Sequence, residues 1–523
     1  MKNKLIIISL LAVLTCSCED FLDRQPLTEY SESSLWKSEK DALIALNGCY
    51  RNWESGTWII YMDVASDNAF NPYPWEGYQM YGNMMLLTPT NVGNHKWNFN
   101  TIQKCNWFLA NVDVTPGDKE LIKRMKGEAR FLRAYKYFVM LQLYGDVPLV
   151  TANISTAEAN TLSRTSNAEV LQFVLDELTA IANDLPESYL ETEAGRITRG
   201  AVWALKARVE LFNQKYEECV VSCNNILGKY SLFPDYTELF RIQNENNSEI
   251  ILDIEYLEND VEFSDLGVLL PQSVMGAWNS VDPIQPLIDA YEMSNGKTID
   301  DPASGYDPAD PYKDRDPRLD ATVIRPGALY YGAYFNPLEN FPGNLDYYAT
   351  ENYTGFAVRK YAPYPDDFND IWKVGLNIPL IRYAEVLLTY AEAKIELNQI
   401  DNSVYEAIDE VRTRAGMPVV DRAEFSTQTK MRELVRRERR VELAMEGLRW
   451  YDVQRWRIGS EVMNGQVYGS RLGTVDMTTG KLTFTEGQIE NEIRGFDESK
   501  NYLWPVPQRE IDINSKLIQN PNY

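Results

Sequence analysis

Four aromatic residues occupy one short, turn-rich stretch, N-P-Y-P-W-E-G-Y-Q-M-Y-G, at residues 71–82. Tyr73, Trp75, Tyr78 and Tyr81 stand there among Pro, Gly and Asn, which are typical of turns. The whole chain is rich in such side chains, with 12 Trp and 32 Tyr. Because Tyr and Trp combine an apolar face with a polar tip, an exposed cluster of them suits ligand binding. We therefore predict that this loop is a binding segment.

Residue types that would support other chemistry are scarce. His95 is the single histidine of the chain, which argues against Ser-His-Asp hydrolysis and against histidine-based metal sites. Cys219 and Cys223 lie four residues apart without a second pair of ligands, so we expect buried free thiols. The Asp-rich run at 298–317 could bind calcium, but its spacing does not match an EF-hand and its arginines and prolines favour capped turns. We predict neither a metal nor a cofactor.

The net charge of −25 narrows the classes of partner. An acidic surface repels phosphate backbones, so nucleic acid is not an expected partner, and sulfated polymers are also disfavoured. Neutral ligands are unaffected by this field. An apolar content of 44% allows a full core, and 523 residues suit either roughly two to four domains or one extended helical array.

The N-terminus is predicted to be a lipoprotein signal peptide. Two lysines precede an almost wholly apolar run at residues 5–14, which is too short to span a bilayer. The run ends in L-T-C-S-C-E-D, and a cysteine at this point resembles a bacterial lipobox, in which the thiol is lipidated. Cys18 is the preferred lipidation site, with residues 1–17 as the signal peptide. Lipidation of Cys16, or an ordinary cleaved signal, stays as an alternative.

Helical periodicity dominates both flanks of the chain. Residues 119–144 carry apolar side chains at spacings of three and four, which predicts one helix with a buried stripe. A helix at 169–185 is predicted with Asn167 as its N-cap. Small alanines favour close helix packing, and they indicate tetratricopeptide-like hairpins. The predicted hairpins and the helix after them are 198–213 with 215–228, 380–397 with 403–415, and 427–445.

The middle of the chain has a different composition. Residues 230–370 are rich in Pro, Gly, Asp and Tyr and show no sustained helical period. We interpret them as an irregular insertion with short strands, laid over a helical framework of residues 18–229 and 371–523. The predicted fold is thus mainly α, a single body in which helix hairpins form a curved array.

An arginine-rich block, R-R-E-R-R-V-E-L-A-M-E-G-L-R-W-Y-D at 436–452, invites a nucleic-acid interpretation. Glutamates interleave with its arginines at spacings that allow i,i+4 ion pairs along a helix. We therefore predict a paired and partly buried polar network there instead of a phosphate site.

Sequence blocks spread over nearly the whole chain carry a family resemblance. They include K-G-E-A-R-F-L-R-A-Y-K-Y-F at 126–138, I-P-L-I-R-Y-A-E-V-L-L-T-Y-A-E-A at 378–393 and L-W-P-V-P-Q-R-E-I-D-I-N at 503–514. With the arginine-rich block and in this order, they resemble the SusD/RagB family of outer-membrane glycan-binding lipoproteins. The resemblance implies a SusD-like fold, helical with an irregular glycan-facing region.

The resemblance also implies a function without a catalytic centre. The protein would be anchored by lipid to the outer membrane, facing the cell exterior, above a SusC-like TonB-dependent transporter. It would capture oligosaccharides and act as the lid of that transporter in glycan uptake and polysaccharide utilization. The helical repeats would face the transporter, and the acidic charge of the chain favours a neutral oligosaccharide.

Carbohydrate chemistry explains why an aromatic loop would serve such a protein. A sugar ring lays its C–H face on an aromatic ring, while its hydroxyls need amide, carboxylate or guanidinium partners. The segment D-V-A-S-D-N-A-F-N-P-Y-P-W-E-G-Y supplies both kinds of group. The glycan-binding residues predicted in it are Asp67, Asn68, Tyr73, Trp75 and Tyr78.

Further glycan contacts are expected from the central insertion. By position, the resemblance points to Trp278 and Tyr334 as partners of Trp75. Arg359 could donate to sugar hydroxyls or form a structural ion pair. Each of these aromatic residues could instead fold onto the body of the protein.

Two functions of other classes stay open. An α-helical glycoside hydrolase would use a pair of carboxylates, although no pair is singled out by a motif. A helical-repeat scaffold would bind peptides and would have no affinity for sugars.

Overall fold

In the computed structural model, the described residues are 35–93, 96–259, 261, 263 and 265–523. The predicted signal peptide, Cys16, Cys18 and His95 lie outside them. The described part is mainly helical with short strands, as predicted. None of its helices has the length and apolarity needed to cross a bilayer.

The longer helices form the framework, and short helices and strands fill the segments between them. The helices are α1 (Glu39–Tyr50), α2 (Gly56–Tyr61), α3 (Gln79–Gly82), α4 (Asn100–Asn111), α5 (Lys119–Tyr144), α6 (Thr156–Ala159), α7 (Asn167–Ile181), α8 (Arg199–Phe212), α9 (Tyr216–Asn224), α10 (Gln285–Ala290), α11 (Arg318–Thr322), α12 (Tyr348–Glu351), α13 (Tyr383–Glu396), α14 (Asn402–Arg414), α15 (Gln428–Glu442), α16 (Arg449–Trp456), α17 (Gly459–Val462) and α18 (Gln508–Ile513). The strands are β1 (Ala69–Phe70), β2 (Ile250–Ile254), β3 (Asp282–Pro283), β4 (Val323–Ile324), β5 (Leu329–Tyr330), β6 (Ala333–Tyr334), β7 (Ala357–Val358), β8 (Ile378–Arg382), β9 (Gly465–Val475) and β10 (Leu482–Arg494).

Helix α5 packs against α1, α4 and α7, and its side chains are buried throughout residues 131–144. Helices α8 and α9 form the first predicted hairpin and α13 and α14 the second, and α9 packs against α13. Each hairpin turns at a residue with positive φ, Gln214 at 58° and Asn398 at 56°. The predicted cap of α7 is wrong by one residue: the hydroxyl of Ser166, not Asn167, accepts the amide hydrogen of Glu169.

Five antiparallel strand pairs tie the irregular segments to the framework. Strand β1 pairs with β3 and β2 pairs with β8, so the central insertion is hydrogen-bonded to the segments on both sides of it. Pairs β4–β7 and β5–β6 lie within the insertion. Strands β9 and β10 form a long hairpin with irregular register near the C-terminus, which the sequence analysis does not identify.

The cysteines of the described part are buried free thiols, as expected. Cys49 lies on α1 and Cys105 on α4, while Cys219 and Cys223 share one face of α9. No cluster of His, Cys, Asp and Glu in the described residues could hold a metal ion.

A cluster of buried charges joins the insertion to the framework, and we call it the buried ion cluster. At its centre, the carboxylate of Glu442 at the end of α15 accepts from Arg318 at 2.9 Å, from Arg382 at 2.6 Å and from Arg414. Burial alone would raise the pKa of Glu442, but the attraction of these three guanidinium groups lowers it well below its usual range. The remaining members are Glu249, Glu292, Asp316, Lys360, Arg412, Glu438 and Glu446.

The members of this cluster come from distant parts of the chain. The predicted i,i+4 pairing within 436–452 is therefore wrong in its geometry, although the arginines and glutamates of this block are paired and buried as expected. Glu438 on α15 binds Arg318 and Arg412. Glu446, just after α15, binds Arg382 and Lys360, and none of these four cations lies on α15. Buried ion pairs to α15 thus hold the insertion on the helical framework.

A second buried pair fixes the start of the aromatic loop. The side chain of Asp67 accepts from Arg449 at 2.7 Å and pairs with Arg440 at 2.9 Å. Burial raises the pKa of Asp67, but the two cations outweigh burial and lower the pKa to about 2. The neighbouring Asn68 donates to Asp63 at 2.8 Å and accepts from Arg440 at 3.0 Å. Both side chains are buried, so they serve the fold rather than the surface.

We predict that Glu442→Gln strongly destabilises the protein. The change leaves three buried guanidinium groups short of a negative partner, and breaking a buried pair in this way costs about 3–5 kcal/mol. The matched control is Glu433→Gln on the exposed face of the same helix, which should change stability by less than about 0.5 kcal/mol. Thermal unfolding followed by circular dichroism measures both, and equal midpoints would contradict the role given to Glu442.

Candidate functional site

The aromatic loop forms a short turn that presents Trp75 to solvent. Pro74 opens one turn of 3-10 helix, Pro74–Glu76, because its fixed φ suits the first helical position. Gly77 ends the turn with φ of 78°, a conformation that glycine adopts without strain. Trp75 lies at the tip of the turn and is 73% exposed. An indole so uncovered contributes little to the core.

Tyr73 connects this turn to the central insertion. Its ring lies 4.8 Å from the ring of Trp75, and its hydroxyl donates to the carbonyl oxygen of Trp278 at 2.7 Å. Because that bond uses its one proton, the hydroxyl of Tyr353, also at 2.7 Å, donates to Tyr73. Burial raises the pKa of Tyr73 to about 12, so its hydroxyl keeps its proton at neutral pH.

Trp278 supplies the second exposed indole. Its side chain is 50% exposed, and its ring lies 5.0 Å from that of the half-buried Trp372. Gly267 allows this packing, since a Cβ there would meet the Trp372 ring at 2.6 Å. Tyr73, Trp75, Trp278 and Trp372 are thus neighbours, and we call them the aromatic surface.

A half-buried carboxylate holds the two halves of the aromatic surface together. Glu76 accepts from Asn71 at 2.7 Å and Tyr61 at 3.1 Å through one oxygen, and from Ser280 at 2.9 Å through the other. Ser280 lies two residues beyond Trp278, so this bond fixes the turn against the insertion. Burial raises the pKa of Glu76, while the three donors oppose that effect.

Tyr78 lies beside the aromatic surface at the end of the same turn. Its ring stacks on Tyr61 at 3.9 Å and meets the edge of Trp58 at 5.4 Å. Burial, with smaller effects of Asp265 and Glu76, raises its pKa to about 12. The side chain is half-buried, so one edge is available to a ligand on the surface.

Of the predicted glycan-binding residues, the structure brings Tyr73, Trp75 and Trp278 together. Tyr78 follows in the same loop, but its ring contacts are with Tyr61, Trp58 and Tyr81. Asp67 and Asn68 are buried against arginines of α15 and α16, as described above, and their polar atoms face inward. Proximity in sequence was misleading for these two residues, because they precede the buried strand β1 and Tyr73 follows it.

Tyr334 and Arg359 lie elsewhere in the insertion. Tyr334 is on β6 and lines a separate pocket of about 210 Å³ together with Tyr331 and Phe341. Arg359 is half-buried, donates to the carbonyl oxygen of Asp320 at 3.1 Å and lies over the ring of Tyr330. Among the described residues, no contact joins either side chain to the aromatic surface.

The sequence analysis did not identify three residues that shape this surface, namely Glu76, Ser280 and Trp372. Trp372 lies two residues beyond the predicted insertion, in a stretch with no helical period, which is the signal that could have found it. Glu76 and Ser280 carry no such signal, because their role depends on a contact between segments 204 residues apart.

The geometry supports binding of a ligand with flat apolar faces. Two exposed indole rings offer those faces, and hydrogen bonds from Tyr73 and Glu76 join the segments that carry them. The site lies where the loop of residues 71–82 meets the insertion.

Comparisons with known proteins identify the family. Residues 241–523, more than half of the chain, match the sequence model of the SusD family, and residues 20–211 match a SusD-like model described as starch-binding and associating with the outer membrane. A SusD-like carbohydrate-binding protein from Bacteroides fragilis NCTC 9343 superposes with a TM-score of 0.81 at 33% identity, over 92% of this chain and 99% of that chain.

Two curated relatives agree with this result. A SusD-like protein of Bacteroides ovatus is 26% identical over 100% of this chain and 97% of its own length. The starch-binding protein SusD of Bacteroides thetaiotaomicron is 25% identical over 81% of this chain and 76% of its own length. With its matching family models, its helical framework and its irregular insertion, the chain belongs to the SusD family of glycan-binding proteins.

Proposed function

We propose that this protein captures oligosaccharides at the outside of the outer membrane, holds them on the aromatic surface and passes them to a SusC-like TonB-dependent transporter. The observation that carries the proposal is the exposure of Trp75 and Trp278 on either side of Tyr73. The starch-binding protein SusD and the carbohydrate-binding structure from Bacteroides fragilis support it as relatives. Residues 230–370 then contribute the glycan-facing insertion.

The expected affinity follows from the number of rings. By analogy with aromatic stacking of bases, each ring contributes roughly 1–2 kcal/mol, so two or three rings give weak binding. Dissociation constants in the micromolar to millimolar range correspond to such energies. Tethering above a pore offsets this weakness because it keeps the site at a high effective concentration near the transporter. The net charge of −25 favours a neutral oligosaccharide on this surface.

The rigidity of the surface favours capture without rearrangement. Tyr73 bonds to the backbone of Trp278, and Glu76 bonds to Ser280, so the two segments that carry the indoles are joined when no ligand is bound. Pre-formed sites lose less conformational entropy on binding. This helps a site whose favourable energy comes from only a few rings.

The transporter would be covered by this protein as by a lid, with lipid on Cys18 as the tether. The sequence supports this with the apolar run that ends before Cys18, and the matching family model is described as associating with the outer membrane. Co-purification of a TonB-dependent transporter with the protein from native membranes tests the partnership, and its absence under mild detergent would contradict it.

A glycoside hydrolase is the rival of another class. Catalysis would need two carboxyl groups facing each other across the ligand, about 5–10 Å apart. Glu76 is bound by three donors and supports the turn, so it is not offered to a substrate. Incubation of the pure protein with oligosaccharides decides the matter, since new reducing ends above a heat-killed control would favour the hydrolase.

We predict that Trp75→Ala weakens oligosaccharide binding by about tenfold, because losing one stacked ring costs roughly 1–2 kcal/mol. Trp75→Phe is the matched control, since it keeps a flat ring at the same point and should retain most of the affinity. A glycan array on the lipid-free protein identifies the ligand, and isothermal calorimetry then compares the variants. If Trp75→Ala and Trp278→Ala together leave the affinity unchanged, the aromatic surface is not the glycan site.

We predict that Cys18→Ser releases the protein from the membrane fraction, because the serine hydroxyl does not accept the lipid. Cys16→Ser, two residues away, is the matched control and should stay with the membranes. Immunoblots of fractionated cells measure both. The opposite pattern would make Cys16 the lipidated residue, and release of neither variant would contradict a lipid tether.

A further inference from the structure

A large cavity lies between the helical framework and strand β2, and none of the four residues of the aromatic surface lines it. Its volume is about 1070 Å³, which is at the upper end of the range for small-molecule sites. Trp53, Trp58 and Tyr256 form aromatic parts of its wall. The hydroxyl of Tyr256 accepts the amide hydrogen of Gly56 at 2.8 Å, which joins the two sides of the cavity.

The wall carries one buried positive charge more than its immediate anion can balance. Glu54 accepts from the ammonium of Lys96 at 2.8 Å, from the hydroxyl of Tyr135 at 2.9 Å and from the amide of Ser55 at 2.9 Å. The ammonium of Lys136 on α5 stands 4.0 Å from the same carboxylate, too far for a hydrogen bond. Lys136 is buried, and this 4.0 Å contact with Glu54 is its one ion pair among the described residues.

This arrangement is costly unless something else pairs with Lys136. A buried ammonium without a hydrogen-bonded partner is destabilising, and burial accordingly lowers the pKa of Lys136. In the buried ion cluster, by contrast, the buried cations are paired with carboxylates, and Glu442 alone pairs with three guanidinium groups. Lys136 differs from them because it borders an open cavity that a ligand can enter.

Another part of the cavity wall can form hydrogen bonds with the hydroxyl groups of a ligand. Asp253 on β2 is buried beside Glu255, and burial together with repulsion from Glu255 raises the pKa of Asp253 well above its usual range. A carboxyl group accepts hydrogen bonds from hydroxyl groups, and in its protonated form it also donates one. The cavity thus combines the ammonium of Lys136, aromatic faces and, on other parts of its wall, the carboxyl groups of Asp253, Glu255 and Asp265.

We propose that this cavity is a second binding site, which takes an acidic sugar of the hexuronate class with its carboxylate on the ammonium of Lys136. The sugar ring lies against Trp53 or Trp58, and its hydroxyls reach Asp253. The choice of a sugar rests on the proposed function, whereas the choice of a carboxylate rests on Lys136 alone. The site is selective for acid, in contrast to the neutral ligand expected on the aromatic surface.

Calorimetry with the lipid-free protein tests the proposal, with D-glucuronate and D-galacturonate as probes and D-glucose and acetate as references. We expect at least one uronate to bind at least tenfold more tightly than D-glucose and than acetate. Lys136→Met should weaken uronate binding at least tenfold. The variant should still fold, because Glu54 keeps its bonds to Lys96, Tyr135 and Ser55.

Lys119→Met, an exposed change on the same helix, is the matched control and should bind uronate as the wild type does. A crystal structure of the wild-type protein with the uronate gives a second measurement that needs no variant. A carboxylate beyond hydrogen-bond distance of Lys136 would overturn the proposal. So would the absence of uronate binding, equal binding of acetate, or full affinity in Lys136→Met.

The test separates this inference from the proposed function. Trp75→Ala should weaken neutral oligosaccharide binding and leave uronate binding unchanged. If neutral oligosaccharides bind and uronates do not, the cavity proposal alone is overturned. If uronates bind through Lys136 and no oligosaccharide binds the aromatic surface, the proposed function is overturned and the cavity site stands.

Discussion

Buried charge must be paired, and this constraint holds the insertion on the helices. Glu442 binds guanidinium groups from α11, β8 and α14, so one carboxylate joins three segments that are far apart in the chain. Such a cluster has little tolerance for a misplaced member, because each unpaired charge would be left in a low-dielectric interior. It therefore fixes where the irregular segments lie, although they have few long strands or helices of their own.

The aromatic surface depends on that placement. Trp75 comes from a loop near the N-terminus, and Trp278 comes from the insertion that the buried ion cluster positions. Smaller bonds then set the local geometry, with Tyr73 and Glu76 as the residues that cross between the two segments. The indole rings of Trp75 and Trp278 stay exposed above these bonds, so their faces are left for a ligand.

Charge is distributed unevenly in this acidic chain. The net charge of −25 describes the outer field, which acts on approaching polymers. At the α5 wall of the cavity, Lys96 and Lys136 stand against the single carboxylate of Glu54, whereas Asp253, Glu255 and Asp265 line other parts of it. A single chain can therefore present a surface suited to neutral ligands and an interior suited to an anion, because screening and burial confine each field to short distances.

The sequence by itself determined the helices at 119–144, 169–185 and 427–445, the hairpins at 198–228 and 380–415, and the place of Trp75 in a Pro- and Gly-rich turn. These features depend on local periodicity and on turn residues, which neighbouring positions carry. Only the tertiary structure decided that Asp67 and Asn68 face arginines inside the fold and that Trp372 joins Trp278. It also decided that Glu442 pairs across segments rather than along its helix. Contacts between residues hundreds of positions apart depend on how the elements pack, and no local pattern records that packing.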